Sequence, residues 1–177
     1  MIETIQNIDL EILNYIQEVV SNTVLDKLMI FMTAWGSKGV IWIVISLLLA
    51  INKKTRRVGI MAMTALILTG ILGEAVIKPL VKRARPFMDH PSVKLIIKAP
   101  SSYSFPSSNT ALSFTVAAIL LKEFKKYGMV FLVVATLIAF SRVYLFVHYP
   151  SDVVVGIMMG LTCAWITNKV FNRKEKF

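Results

Sequence analysis

The chain has 177 residues, 56% of them hydrophobic, with a mean hydropathy of +0.67 and a formal charge of +10. Soluble domains are only about 45–50% apolar, and their helices keep a polar face; the long uncharged blocks here argue against a soluble helical protein with a greasy core. The basic residues lie between those blocks, so membrane topology and anionic headgroups explain the charge better than nucleic acid does.

Residues 1–20 open on acidic and polar side chains rather than a basic stretch. No removable signal peptide is expected there, and the first membrane segment should serve for targeting. Residues 7–22 predict an amphipathic helix, with Ile8, Ile12, Ile16 and Val19 near one face and Glu11 and Glu18 on another. Such a helix lies in the membrane interface or packs on the bundle. Residues 28–52 carry only Lys38 as a charge, and Gly36-Ser37-Lys38-Gly39 marks a break. Whether 25–51 forms one long span or two short helices is left open. Helices are then predicted over 58–82, from about 106 to 122, over 127–148 and over 151–170, with a Pro- and Ser-rich connection at 86–105. Residues 58–73, 127–141 and 153–168 carry no charge at all, and a spanning helix needs roughly 20 mostly apolar residues. The expected fold is an all-α integral membrane bundle of about six helices, including the N-terminal amphipathic one, in a single domain covering 1–177. Cys163 has no possible disulfide partner in the chain.

Basic residues set the topology. Lys53, Lys54, Arg56, Arg57, Lys122, Lys125, Lys126, Lys169, Arg173, Lys174 and Lys176 fall on one side, which the positive-inside rule makes cytoplasmic. The opposite side holds 78–106 and 142–152, yet it is also basic, through Lys78, Lys82, Arg83, Arg85, Lys94, Lys98 and Arg142. Those charges call for another reason to be outside, and a phosphate site supplies one.

Alternating helix directions bring three segments to that face. In the first, Lys78 and Arg85-Pro86 are two helical turns apart and can share a face. In the second, Pro106-Ser107-Ser108-Asn109 opens a helix; proline suits its first turn, and the N–H groups of Ser107, Ser108 and Asn109 would form an anion site. In the third, Ser141-Arg142 precedes His148, and Asp152 follows four residues later. Pro150 should end one helix, and Ser151 or Asp152 can cap the next. Phosphoryl transfer needs mostly positioning and charge stabilisation. Lys78, Arg85, Arg142 and backbone donors could surround a phosphate, His148 could attack it, and Asp152 could fix the imidazole tautomer. No cluster with metal-ligand spacing is evident, and fixed cations could stabilise the same charge, so neither metal nor cofactor is expected.

These segments resemble the type 2 phosphatidic acid phosphatase (PAP2) superfamily, whose signature is K-x6-R-P, P-S-G-H and S-R-x5-H-x3-D. Lys78…Arg85-Pro86 and Ser141-Arg142…His148…Asp152 match in full, and the resemblance covers about residues 73–160. It implies that Lys78, Arg85, Arg142 and Ser107, with Ser108 beside it, bind phosphate. It further implies that His148 forms a phosphohistidine and that Asp152 supports it. The second motif departs, with Ser108 for glycine and Asn109 for histidine. In the family that histidine protonates the leaving oxygen; an asparagine amide can donate a hydrogen bond but not a proton. Three accounts are open: a deliberate histidine-to-asparagine change that slows turnover, a natural asparagine working with a good leaving group, or a lipid-phosphate binder without turnover.

The expected function is removal of a terminal phosphate from a membrane lipid, with polyprenyl (undecaprenyl) diphosphate, phosphatidylglycerol phosphate and phosphatidic acid as candidates. The site would face outward from the cytoplasmic membrane. Non-catalytic lipid-phosphate binding or transport is the alternative, and a purely structural role for the charges is a third reading. Taken singly, Lys78 and Arg85 read as snorkelling cations, and Asp152 reads as a cap. Glu74 is expected to pair with Lys78 or to line the cavity, His90 to be a solvated loop residue, and Trp35, Trp42 and Trp165 to pack or anchor. Lys94 and Lys98 read equally as headgroup-attracting or solvated. Oligomeric state is not legible.

Overall fold

The computed structural model describes residues 2–90 and 93–173. Lys174 and Lys176 of the basic tail lie outside the described residues. Among those residues all regular structure is helical. Helix α1 (Ile2–Tyr15) runs on into a π-helical turn at Ile16–Val20, then come α2 (Thr23–Gly36) and α3 (Val40–Ile51). Next, α4 (Arg56–Gly70) passes through a π-helical stretch, Ile71–Ile77, into α5 (Lys78–Val81) and the single turn α6 (Pro86–Asp89). The chain ends in α7 (Ser108–Glu123), α8 (Lys125–Tyr144) and α9 (Pro150–Arg173).

The N-terminal helix is amphipathic, but its predicted apolar stripe is divided. Ile16 enters the core with Leu13, whereas Ile8, Ile12 and Val19 stay exposed, as lipid-facing side chains of an interfacial helix do. The face turned to the bundle also carries one buried carboxylate, Asp9. Asn22 caps α2 by accepting the Val24 and Leu25 N–H groups. The question left open over 25–51 resolves as one kinked element. Lys38 (φ 52°) and Gly39 (φ 71°) both take left-handed backbone, so the helical ladder breaks there. Beyond the kink α3 continues along α4, while α2 lies along α8.

Among the described residues, four elements are long and apolar enough to cross a membrane: Thr23–Ile51, Arg56–Asp89, Lys125–Tyr144 and Pro150–Arg173. The 16-residue α7 is shorter and is enclosed by α4, α8 and α9. It is buried on nearly every side, so it needs no polar face; its hydroxyls bond within the bundle. Ser113 takes the Trp42 indole N–H at 2.7 Å, and Thr115 meets Thr69 at 2.9 Å. Trp42 is thus a packing residue, whereas Trp35 and Trp165 stay half exposed.

Helix α9 approaches α7 through Gly156 and Gly160, one turn apart. A Cβ on Gly160 would lie 2.4 Å from the Ala111 carbonyl oxygen, and one on Gly156 2.8 Å from that of Ser107. Small residues at this spacing let helix backbones touch. Gly160→Val is therefore expected to destabilise by about 1–3 kcal/mol, since backbone cannot yield as a side chain can. A lowered thermal midpoint in detergent would show it.

The termini of these rods sort into two ends. Ala50 packs at Gly59, Leu121 at Gly128, and Lys122 bonds Asn168. The opposite end gathers residues 78–90, 93–109 and 142–152, as the alternating directions require.

Candidate active site

Local backbone turns place each functional side chain. Helix α8 stops at Tyr144 rather than at 148, because Phe146 adopts a left-handed φ of 58°. The N–H groups of Val147 and His148 then both donate to the Arg142 carbonyl, at 3.2 and 3.1 Å. That fold-back sets His148 beside Arg142. Pro150 does not end a helix but opens α9, where its missing N–H has no partner to lose. Asp152 lies in the first turn, and its Oδ2 accepts the Tyr149 N–H at 3.0 Å, the reach-back of a helix-capping carboxylate.

The same carboxylate faces the imidazole. His148 Nδ1 lies 3.5 Å from Asp152 Oδ2, and the Ser104 hydroxyl donates to that oxygen at 2.5 Å while lying 3.5 Å from Nδ1. On the other side of the ring, Arg85 Nη1 lies 3.1 Å from His148 Nε2. A guanidinium only donates, so Nε2 bears the lone pair and Nδ1 the proton that points at Asp152. Burial, opposed by Asp152 but reinforced by Arg142 and Arg85, pushes His148 down to about 3. The imidazole is therefore neutral, and its nucleophilic Nε2 is unprotonated and hydrogen-bonded by Arg85.

The cations converge by a route that helical spacing does not describe. Lys82 takes left-handed backbone (φ 51°) and ends α5, so Lys78 and Arg85 are not on one continuous helix. They meet instead at Ser102 in the connection: its hydroxyl accepts Lys78 Nζ and Arg85 Nη2, each at 3.2 Å, and its carbonyl accepts Arg85 Nε at 2.6 Å. Glu74 pairs with Lys78 at 2.7 Å. Arg142 bonds Thr33 of α2, but its Nε has no partner although it is buried. The buried Ser108 hydroxyl is likewise unpartnered.

Lys78, Arg85, Arg142, His148, Ser108 and Asn109 all line one cavity of about 1060 Å³. Its polar end is the cluster just described; Ile30, Ile43, Met63 and Ile67 line an apolar arm between α2–α3 and α4. The second motif differs in detail from expectation. Helix α7 begins at Ser108, after a cis Phe105–Pro106 bond, with Ser107 as its N-cap. The Ser107 N–H donates to the Asp152 carbonyl at 3.1 Å, and its hydroxyl bonds Thr110 at 2.8 Å. Neither group is free for a ligand in this arrangement, and Ser108 faces the cavity in its place. Asn109 Oδ1 accepts the N–H of Lys38 at 3.1 Å, so the α2–α3 kink holds the substituted position. His90 is not simply solvated; it packs edge-on against Phe146 at 6.2 Å.

Five residues of the site belong to no recognised motif: Ser102, Ser104, Arg83, Asp9 and Lys38. Ser102 and Ser104 lie in a serine-rich stretch that composition marks only as loop. Asp9 was hidden among the acidic residues of an amphipathic helix.

A helical membrane bundle with three buried cations and a neutral histidine in the wall of one pocket defines a phosphate-handling membrane protein. The model of the PAP2 superfamily matches residues 57–176, and the chain belongs to that family. It is 35% identical to an undecaprenyl-diphosphatase of Sulfolobus acidocaldarius over 81% of this chain and 68% of that one. Among solved structures it resembles LpxE of Aquifex aeolicus with a TM-score of 0.79 at 28% identity, covering 90% of this chain and 94% of that chain. A PAP2-type phosphatidylglycerolphosphate phosphatase from Bacillus subtilis superposes with a TM-score of 0.76 at 25% identity, over 97% of this chain and 87% of that chain. The chain is accordingly a membrane lipid phosphatase of the PAP2 type.

Proposed function

We propose that this chain removes the terminal phosphate of a lipid phosphate or polyprenyl diphosphate through a phosphohistidine on His148 Nε2. The observation that carries this reading is the pair of unpartnered buried donors, Arg142 Nε and Ser108 Oγ, in the wall that also holds His148. An unmade buried hydrogen bond costs about 1–3 kcal/mol, and a phosphate oxygen would satisfy both donors. Lys78 and Arg85 supply further positive charge, with the N–H groups of the first turn of α7.

In this mechanism Nε2 attacks phosphorus and the bond to the leaving oxygen breaks. The cations hold the equatorial oxygens, and Asp152 stabilises the imidazolium that forms. Water then attacks the phosphohistidine, which releases inorganic phosphate and restores the neutral ring. Asn109 can hydrogen-bond the leaving oxygen but cannot protonate it. A leaving lipid monophosphate needs little protonation, so a diphosphate suits this chain better than a monoester. The lipid tail fits the apolar arm between α2–α3 and α4. The excess of basic residues at the opposite end supports an extracytoplasmic site in the cytoplasmic membrane.

Arg142→Ala is expected to weaken binding of a non-hydrolysable lipid phosphonate by about 10–100-fold, the usual worth of hydrogen bonds to a charged group. Calorimetric titration beside a thermal melt checks it. Unchanged affinity in a folded variant would contradict the cradle.

A further inference from the structure

The carboxylate behind His148 is itself held by groups that do not line the cavity. Asp152 Oδ1 accepts Arg83 Nη1 at 2.6 Å, and Arg83 Nη2 reaches Asp9 Oδ2 at 2.8 Å. Asp9 Oδ1 also accepts the Ser151 N–H at 2.8 Å, and its Oδ2 accepts the Ser151 hydroxyl. That hydroxyl in turn accepts from Arg83 Nη1 at 2.7 Å. The guanidinium lies 3.9 Å over the Tyr149 ring, which limits its freedom. Asp9 is 2% exposed and Asp152 fully buried, so water screens this cluster little.

One guanidinium thus serves two carboxylates. Shared with Asp9, it leaves Asp152 with net negative charge to turn toward His148. If Asp9 were neutral, the whole cation would act on Asp152, and the field at the imidazole would become more positive where phosphohistidine formation requires the reverse. Asp9 also grips the first turn of α9 at Ser151, next to Asp152, from a helix that exposes Ile8 and Ile12.

We propose that Asp9 is a positioning residue for the His148–Asp152 pair, acting through Arg83 and Ser151, so that seating the amphipathic N-terminal helix sets the nucleophile. The inference rests on the phosphatase reading of the site.

The test uses the full chain in lipid–detergent micelles and an alkyl-substituted nitrophenyl phosphate, whose leaving group needs no acid at position 109. Asp9→Asn is expected to lower kcat roughly tenfold, as loss of an outer partner of a held histidine does. KM should stay within about twofold, because the phosphate cradle is untouched. Asp9→Glu, which restores the charge, should recover much of the lost rate. Should Asp9→Asn fail to fold, Arg83→Lys serves instead: it keeps the cation but cannot bridge both carboxylates, and it should show the same fall in kcat alone. Wild-type kcat in folded Asp9→Asn, or a loss confined to KM, overturns the inference while leaving the phosphatase reading intact. If release by the unaltered chain equals that of His148→Ala, the phosphatase reading fails and this inference with it.

Discussion

Asn109→His is expected to raise phosphate release from a lipid monoester such as phosphatidic acid by about 10²–10⁴-fold, the usual contribution of a general acid. An alkoxide is a poor leaving group, so proton delivery dominates its barrier. For a polyprenyl diphosphate the leaving group is a phosphate monoester, and the gain should be far smaller. The geometry favours acceptance of the new side chain. Asn109 Oδ1 receives the Lys38 N–H at 3.1 Å, and an imidazole nitrogen could receive the same bond while the other nitrogen faces the cavity. Comparing release rates for the two lipids in both chains measures the effect. If the histidine variant is inactive on every lipid phosphate and diphosphate, the phosphatase reading fails. A rise of equal size for both lipids would show that the leaving group does not govern the need for an acid.

His148→Ala is expected to reduce turnover to background for every substrate, monoester or diphosphate. The reason is that Nε2 carries the lone pair that must form the new bond to phosphorus, and the only other histidine, His90, packs on Phe146 away from the cavity lining. Binding should persist, because Lys78, Arg85 and Arg142 remain and already hold their places through Ser102, Val147 and Thr33. A phosphonate titration should therefore show affinity within about tenfold of the unaltered chain, with catalysis lost, the pattern of an interaction made only in the transition state. Residual turnover above background would require a different nucleophile.

Charge-free blocks of 15 or 16 residues, which reach spanning length with their flanks, made the bundle legible in the sequence, and two spaced motifs made most of the pocket legible. The irregular backbone was not. Helical spacing placed Lys78 and Arg85 on one face, but the left-handed Lys82 separates them, and Ser102 reunites them through a loop contact. Likewise Phe146 turns the chain before Pro150 can act, since an unfavourable φ at a bulky residue is fixed by tertiary packing rather than local preference. The Gly156–Gly160 seam was readable only once its partner helix was known. Asp9 and Arg83 carry no motif because their role is to hold Asp152, and many arrangements could do so. Ser107 shows the converse: the motif names it, while the fold turns its hydroxyl to Thr110.

The central claim is that His148 Nε2 takes the phosphoryl group. The most direct measurement is a rapid acid-free quench of the full chain mixed with polyprenyl diphosphate carrying a radiolabelled terminal phosphate. The account predicts label on the protein that is acid-labile and alkali-stable, lies in the peptide containing His148, and is absent from His148→Ala. Phosphate release with no labelled intermediate at any time, or label that survives in His148→Ala, would contradict it.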